Sequence, residues 1–160
     1  MTLPGMMVAG FPYLALLTRG EPPQWPSFAA MGWGASGLLL VAGGTAAFLF
    51  CVVDFARKGL GTPFPLDPPK RLVATGLYRW VRNPMYVAVL NVVLGEAAVF
   101  GSGELLTYWL SVVVGFHLFV VLYEEPALRR KFGEEYETYC RNIPRWLVRW
   151  PTAEREASPA

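Results

Sequence analysis

The sequence predicts an all-α membrane protein, a bundle of about four transmembrane helices followed by a C-terminal amphipathic helix at the interface. Three observations lead there. Apolar residues come in long runs rather than in stripes, as they do when lipid replaces water around a helix. Only 16% of the 160 residues are charged and 54% are hydrophobic, whereas a soluble domain carries about 25% charged residues. The basic residues are also segregated. Arg19 alone lies between the first two runs, none lies between the third and fourth, and the other thirteen fall between Asp54 and Arg82 or after Glu125. By the positive-inside rule that loop and tail are cytoplasmic, and a bacterial inner membrane is the expected setting.

The first run, Leu3 to Leu17, is short and contains Pro4 and Pro12. It crosses only if it is tilted or the bilayer thins, and it could instead lie in the interface. With no basic residues leading it and no clear cleavage site, it is expected to be a retained helix. The second, Ser27 to Val53, is long enough to span, and Gly34, Ala35, Gly37, Gly43, Gly44, Ala46 and Ala47 suit close helix packing. Residues from Arg57 to Thr75 carry Gly59, Gly61, Pro63, Pro65, Pro68 and Pro69. This loop should be extended rather than helical. Tyr86 to Phe100 is a short third run, Gly101-Ser102-Gly103 a turn, and Leu105 to Tyr123 a full-length fourth run. So short a turn forces a tight antiparallel hairpin.

Beyond the fourth run, Glu125 to Arg141 reads as one interfacial amphipathic helix. Leu128, Phe132, Tyr136 and Tyr139 recur at spacings of three or four, with charges between them. Trp146, Trp150, Arg145 and Arg149 resemble interface anchors. The whole chain is read as one domain: N-terminal spans over 1–53, a functional half over 54–150, and a disordered tail over 151–160.

Several function classes are excluded by what the residues lack. Basic residues flank membrane runs and mix with acids, a poor pattern for nucleic acid. Cys51 and Cys140 match no metal spacing, and no His/Cys/carboxylate cluster does. Gly59-Leu60-Gly61-Thr62-Pro63 follows no strand and is not a phosphate loop. No Ser or Cys sits in a nucleophile-elbow context.

Two stretches carry candidate chemistry. One runs from Gly76 to Tyr86 and includes Tyr78, Arg79, Arg82, Asn83, Pro84 and Met85. Pro84 fits the first turn of a helix and Asn83 its N-cap, and the free amides there would suit an anion. The other is Glu124-Glu125-Pro126, continuing through Phe132-Gly133 and Tyr136 to Ile143-Pro144-Arg145. A carboxylate at a membrane boundary is costly unless water, a cation or a donor meets it. The two glutamates are therefore either solvated charges at a helix end, or one of them binds a cation or a set of hydroxyl or amino donors. His117, the single histidine, lies seven residues before Glu124 and so on the same helical face. It is either a packed group or part of an acceptor cavity, where it could take a proton. Glu96 and Asn91 are unusual in the third run, and Glu96 is placed to snorkel to the far surface.

These two motifs, in this order around a hairpin, resemble the isoprenylcysteine carboxyl methyltransferase and phospholipid methyltransferase superfamily. Its members carry Arg-His/Asn-Pro-x-Tyr before one span, then Glu-Glu and Phe-Gly-x-x-Tyr-x-x-Tyr…Pro after the next. The likeness covers roughly Gly61 to Trp150. It implies an integral-membrane enzyme that uses S-adenosyl-L-methionine without a Rossmann domain, with the cofactor in a cytoplasm-facing pocket and the acceptor arriving from the bilayer. Carried over by position, Lys70, Arg71, Leu72, Val73, Tyr78, Asn83, Pro84, Met85, Tyr86, Glu124 and Glu125 would bind cofactor. Two departures stand out. Asn83 replaces the His of eukaryotic isoprenylcysteine enzymes, and Val120 stands where those enzymes have an Arg proposed to meet the acceptor. Arg82, Arg141 or Arg145 could orient an anionic acceptor instead, so Arg82, His117, Glu124 and Arg141 form the expected catalytic set.

The expected function is thus methyl transfer to a lipophilic or small membrane-partitioning acceptor: a carboxylate, an amine headgroup or a thiol. The expected partners are the lipid bilayer and that acceptor, with no metal and no nucleic acid. The alternative is a non-catalytic membrane scaffold or lipid-binding module that keeps the fold. A small transporter is a third reading, but the second run offers almost no polar path.

Overall fold

A computed structural model describes residues 31–57 and 72–148 of the chain. The first apolar run, the start of the second, the Pro/Gly-rich loop through Lys70 and Arg71, and the tail with Arg149 and Trp150 lie outside the described residues. The described part is helical, with no strand. Helix α1 is Met31–Arg57. A 3-10 turn, Gly76–Arg79, leads to α2, Pro84–Phe100. Helix α3, Gly103–Phe119, runs through a π-helical turn, Val120–Glu124, into α4, Glu125–Phe132. Helix α5 is Glu134–Asn142.

Two of these stretches are long and apolar enough to cross a membrane: Gly34–Asp54 in α1, and the continuous helix Gly103–Phe132, whose apolar part ends at Tyr123. Helix α2 is apolar but has only 17 residues. At about 1.5 Å per residue it measures roughly 25 Å, against about 30 Å of bilayer hydrocarbon. Leu106, Leu110, Val114 and Leu118 on α3, with Leu122 in the π turn, form an outward stripe, each 45–71% exposed. Leu38, Leu39, Leu49 and Phe50 do the same on α1. Such surfaces are stable beside lipid, not beside water.

Helices α1 and α2 pack antiparallel at backbone distance. A Cβ on Gly37 would lie 2.7 Å from the Gly95 carbonyl oxygen, and one on Gly44 would lie 2.7 Å from that of Ala88. Gly95 faces the same constraint, 2.6 Å from the Gly37 carbonyl. Of the small residues in the second run, Gly37 and Gly44 form this seam, whereas Gly34 and Gly43 face open space. Small residues let the two backbones approach, which maximises van der Waals contact where lipid supplies no hydrophobic drive.

The expected hairpin joins α2 to α3. Gly101 caps α2 in the left-handed region, at φ 57°, which glycine adopts without steric cost. The Ser102 hydroxyl then caps α3 by accepting from the Leu105 N–H at 3.3 Å. Farther along, the Trp109 Nε1 donates to the Leu90 carbonyl, and Phe116 stacks on Tyr86. The pairing therefore runs antiparallel, and the end of α3 returns to the start of α2. The end of α1 reaches the same place, because a Cβ on Gly76 would lie 3.0 Å from the Asp54 carboxylate.

Three local readings change. The tail is not one helix from Glu125 to Arg141: Gly133, at φ 53° and ψ −124°, divides α4 from α5. Asn83 is the N-cap of α2, but its side chain makes no capping bond. It donates instead to the Arg145 carbonyl. The π turn also interrupts the α-helical spacing between His117 and Glu124, so a separation of seven no longer places them on one stripe.

Candidate functional site

The ends of three helices and the returning tail enclose Glu124 and Glu125, and the two carboxylates have different surroundings. Within the π turn, the widened ring inserts an extra residue and turns the pair relative to α3. Glu124 then accepts from the Tyr86 hydroxyl at 2.8 Å. Tyr86 sits in the first turn of α2, with its ring centroid 4.7 Å from Phe116 and 6.5 Å from Trp146. One carboxylate is thus held by a phenol inside an aromatic enclosure.

Glu125 is only 4% exposed. Arg145 grips it as a fork, Nε to Oε1 at 2.6 Å and Nη2 to Oε2 at 2.9 Å. Arg82 Nη1 adds a third bond at 3.0 Å, and Arg129 lies 3.8 Å away. Two-pronged charge-assisted bonds of this kind are among the strongest available to a buried carboxylate. The hydrogen bond to Glu125 raises the Arg145 guanidinium above its usual range; burial opposes this and the Glu125 charge adds to it. Arg82 Nη1 also contacts the Cys140 sulfur, while its Nε is buried without a partner.

The tail is tied over this cluster. The Arg82 backbone N–H donates to the Pro144 carbonyl at 2.9 Å, and Asn83 Nδ2 donates to the Arg145 carbonyl at 3.1 Å. The next residue, Trp146, donates from Nε1 to His117 Nδ1 at 3.2 Å. As acceptor, that nitrogen carries no proton in this geometry. Leu90, Val113, Val114, His117, Leu118 and Trp146 line a half-open groove of about 260 Å³, almost wholly apolar.

On the other side, Tyr78 and Met85 pack against Val73, which is 6% exposed. The Tyr139 hydroxyl donates to the Tyr78 carbonyl at 2.6 Å. Burial drives both phenols well above their usual ionisation range, so each stays a neutral hydroxyl.

Tyr78, Arg82, Asn83, Pro84, Met85, Tyr86, Glu124 and Glu125 therefore meet at one end of the hairpin, with Val73 packed beside them and His117 reached through Trp146. Leu72 is half-buried next to Val73. Arg141 is not brought in: it is exposed and its Nη2 bonds Thr138 on its own helix. Val120 is 1% exposed at the start of the π turn, a wholly apolar position. Sequence reasoning missed the Arg145 fork, the contact of Phe116 with Tyr86 and the pairing of Trp146 with His117. The Ile143-Pro144-Arg145 segment was the available signal, since Pro144 ends the helical run and directs the chain elsewhere.

The sequence profile of phospholipid methyltransferases matches residues 31–135, from the start of α1 into α5. The chain belongs to the phospholipid methyltransferase family. Membership makes it a methyltransferase in general terms, and its two long apolar helices agree with a membrane-associated one. The matched stretch contains both carboxylates, Tyr86 and the whole hairpin. No curated protein gives a significant match to the chain.

Proposed function

We propose that the protein is an S-adenosyl-L-methionine-dependent integral-membrane methyltransferase that modifies a lipophilic or small membrane-partitioning acceptor at the cytoplasmic face. The observation that carries this reading is the Tyr86–Glu124 pair inside its aromatic enclosure, where both sequence motifs converge. The donor set fits the cofactor's chemistry. Glu124 offers a carboxylate for an ammonium group, and the faces of Tyr86 and Phe116 favour a sulfonium through cation–π attraction. The buried, unpartnered Nε of Arg82 offers a donor for a carboxylate. When bound, the cofactor supplies a methyl group activated by positive sulfur.

The chain's own residues then align and dehydrate. Tyr86 fixes the Glu124 carboxylate, and the buried Val120 and Val73 keep water from the interior of the site. The apolar groove is lined from the outward face of α3 and ends at His117 and Trp146, an approach suited to a molecule that partitions into lipid. A carboxylate or thiolate acceptor needs no base. An amine needs one, and His117 could take that proton at Nδ1 only after giving up its bond from Trp146.

The test is calorimetric binding of S-adenosylhomocysteine to the nanodisc-embedded chain. We expect saturable binding that Glu124→Gln abolishes and Tyr86→Phe weakens by about tenfold, the loss of roughly one hydrogen bond to a charged group. Binding untouched by Glu124→Gln would remove the carboxylate from the cofactor site. No binding by a folded, lipid-embedded sample would return the chain to the scaffold reading.

A further inference from the structure

Glu124 and Glu125 are neighbours in sequence, but their hydrogen bonding divides them. Both oxygens of Glu125 are taken: Oε1 accepts from Arg82 and Arg145, and Oε2 accepts from Arg145. A carboxylate this buried and this fully engaged has little capacity left for a ligand. What it holds is a piece of chain. Arg145 is fastened at its side chain by Glu125 and at its carbonyl by Asn83, while the Pro144 carbonyl is fastened by the Arg82 N–H. Arg82 and Asn83 immediately precede α2. The segment Pro144–Trp146 is therefore a strap laid across the start of that helix.

The strap delivers one large group. Trp146 meets His117 at one edge and stands 6.5 Å from the ring of Tyr86, the residue that holds Glu124. Removing the Arg145 fork would free the strap at its centre. The Trp146 wall would then depend on the single bonds from the Arg82 N–H, Asn83 and Trp146 itself, which are individually weak.

We propose that Glu125 is a positioning residue: with Arg82 and Arg145 it latches the Pro144–Trp146 strap so that Trp146 closes the site in which Tyr86 and Glu124 hold the cofactor. This rests on the cofactor reading of that site, and it assigns the two glutamates different work. Glu124 touches ligand, and Glu125 acts through Arg145 and Trp146. It also gives the Asn83 side chain a role in fastening the strap.

The experiment uses the full chain in nanodiscs, labelled with 5-fluorotryptophan, with S-adenosylhomocysteine as the probe. The Trp146 resonance is assigned with Trp146→Phe, and Trp109, bonded to Leu90 within the hairpin, is the internal reference. Glu125→Gln and Arg145→Lys should each shift or broaden the Trp146 signal and leave Trp109 in place. Each should weaken S-adenosylhomocysteine by about tenfold, and the double variant should be no worse than the poorer single, as expected of residues in one network. If Glu125→Gln does not fold, Arg145→Lys, which keeps the charge and loses the fork, carries the test. Loss of binding with Trp146 unmoved would make Glu125 a direct ligand and overturn the proposal. So would an unmoved Trp146 with unchanged binding, or disturbance of Trp109 alongside Trp146 in Arg145→Lys. Should the wild type bind no S-adenosylhomocysteine, the cofactor reading fails while the fluorine signals still decide whether the latch exists.

Discussion

Tyr139 shows how one hydroxyl joins separate parts of this chain. It lies in α5, yet it donates to the Tyr78 carbonyl, sixty-one residues earlier, at 2.6 Å. Sequence reading placed Tyr139 on the apolar face of an amphipathic helix, which accounts for its burial but says nothing of a specific acceptor. Replacing it with Phe keeps the ring and strands the carbonyl, a cost of about 1–2 kcal/mol. The burial of both phenols also makes stability sensitive to alkali. Burial favours the neutral phenol in the folded chain, so Tyr78 and Tyr139 ionise there at higher pH than their unfolded value of about 10. Their contribution is fully present below that unfolded value and is lost as pH rises beyond it toward the folded values. Thermal midpoints should therefore decline above about pH 10, and Tyr139→Phe should decline less steeply than the wild type. Parallel slopes would show that Tyr139 is not a source of the effect.

At the scale of elements, the hairpin was legible because its determinants are local. Gly101, Ser102 and Pro84 each act on the few residues beside them, and each is found in the expected place. The π turn and the break at Gly133 went unread for different reasons. Pro126, inside the continuous helix Gly103–Phe132, has no N–H to pair the Leu122 carbonyl and its ring crowds that carbonyl, so the widened turn has a local cause that the apolar run before it conceals. Gly133 lay inside a Phe-Gly motif and an unbroken periodic pattern, and its positive φ is a backbone property that periodicity cannot report. Gly133→Ala should cost about 1–3 kcal/mol, since a side chain disfavours that conformation; hydrogen exchange should show it as faster opening of α5. The seam between α1 and α2 gives a sharper contrast. Gly95→Ala puts a Cβ where the Gly37 carbonyl and Val41 stand, and rigid backbone cannot yield cheaply. We expect a loss of about 1–3 kcal/mol or more. Gly34→Ala, with no atom within 4 Å of its Cβ, should be neutral or slightly stabilising. Equal effects at both positions, read by thermal unfolding in nanodiscs, would dismiss the seam.

At the scale of the whole molecule, the helices sort charge toward one end. Among the described residues, Arg57, Arg79, Arg82, Arg129, Arg130, Lys131, Arg141 and Arg145 flank the end that holds Glu124, while the Gly101–Gly103 turn has no Lys or Arg and is followed by Glu104. The same asymmetry was readable in the sequence; the folding of both motifs into that basic end was not. It bears on the proposed function, in which a charged, water-soluble methyl donor would enter from the side on which the basic residues face. From the positive-inside bias we expect that side to face the cytoplasm. The prediction is made with single cysteines in a chain whose own Cys51 and Cys140 are both changed to Ser. Leu147→Cys sits beside the site and is 78% exposed in its native form; Gly103→Cys sits at the opposite turn, where a Cβ meets nothing within 4 Å. In intact cells a membrane-impermeant maleimide should label position 103 and leave position 147 untouched until the membrane is opened. Labelling of 147 in intact cells would invert the molecule. The proposed cofactor site would then face a compartment without the donor, and the proposal of methyl transfer from S-adenosyl-L-methionine at the cytoplasmic face would have to give way.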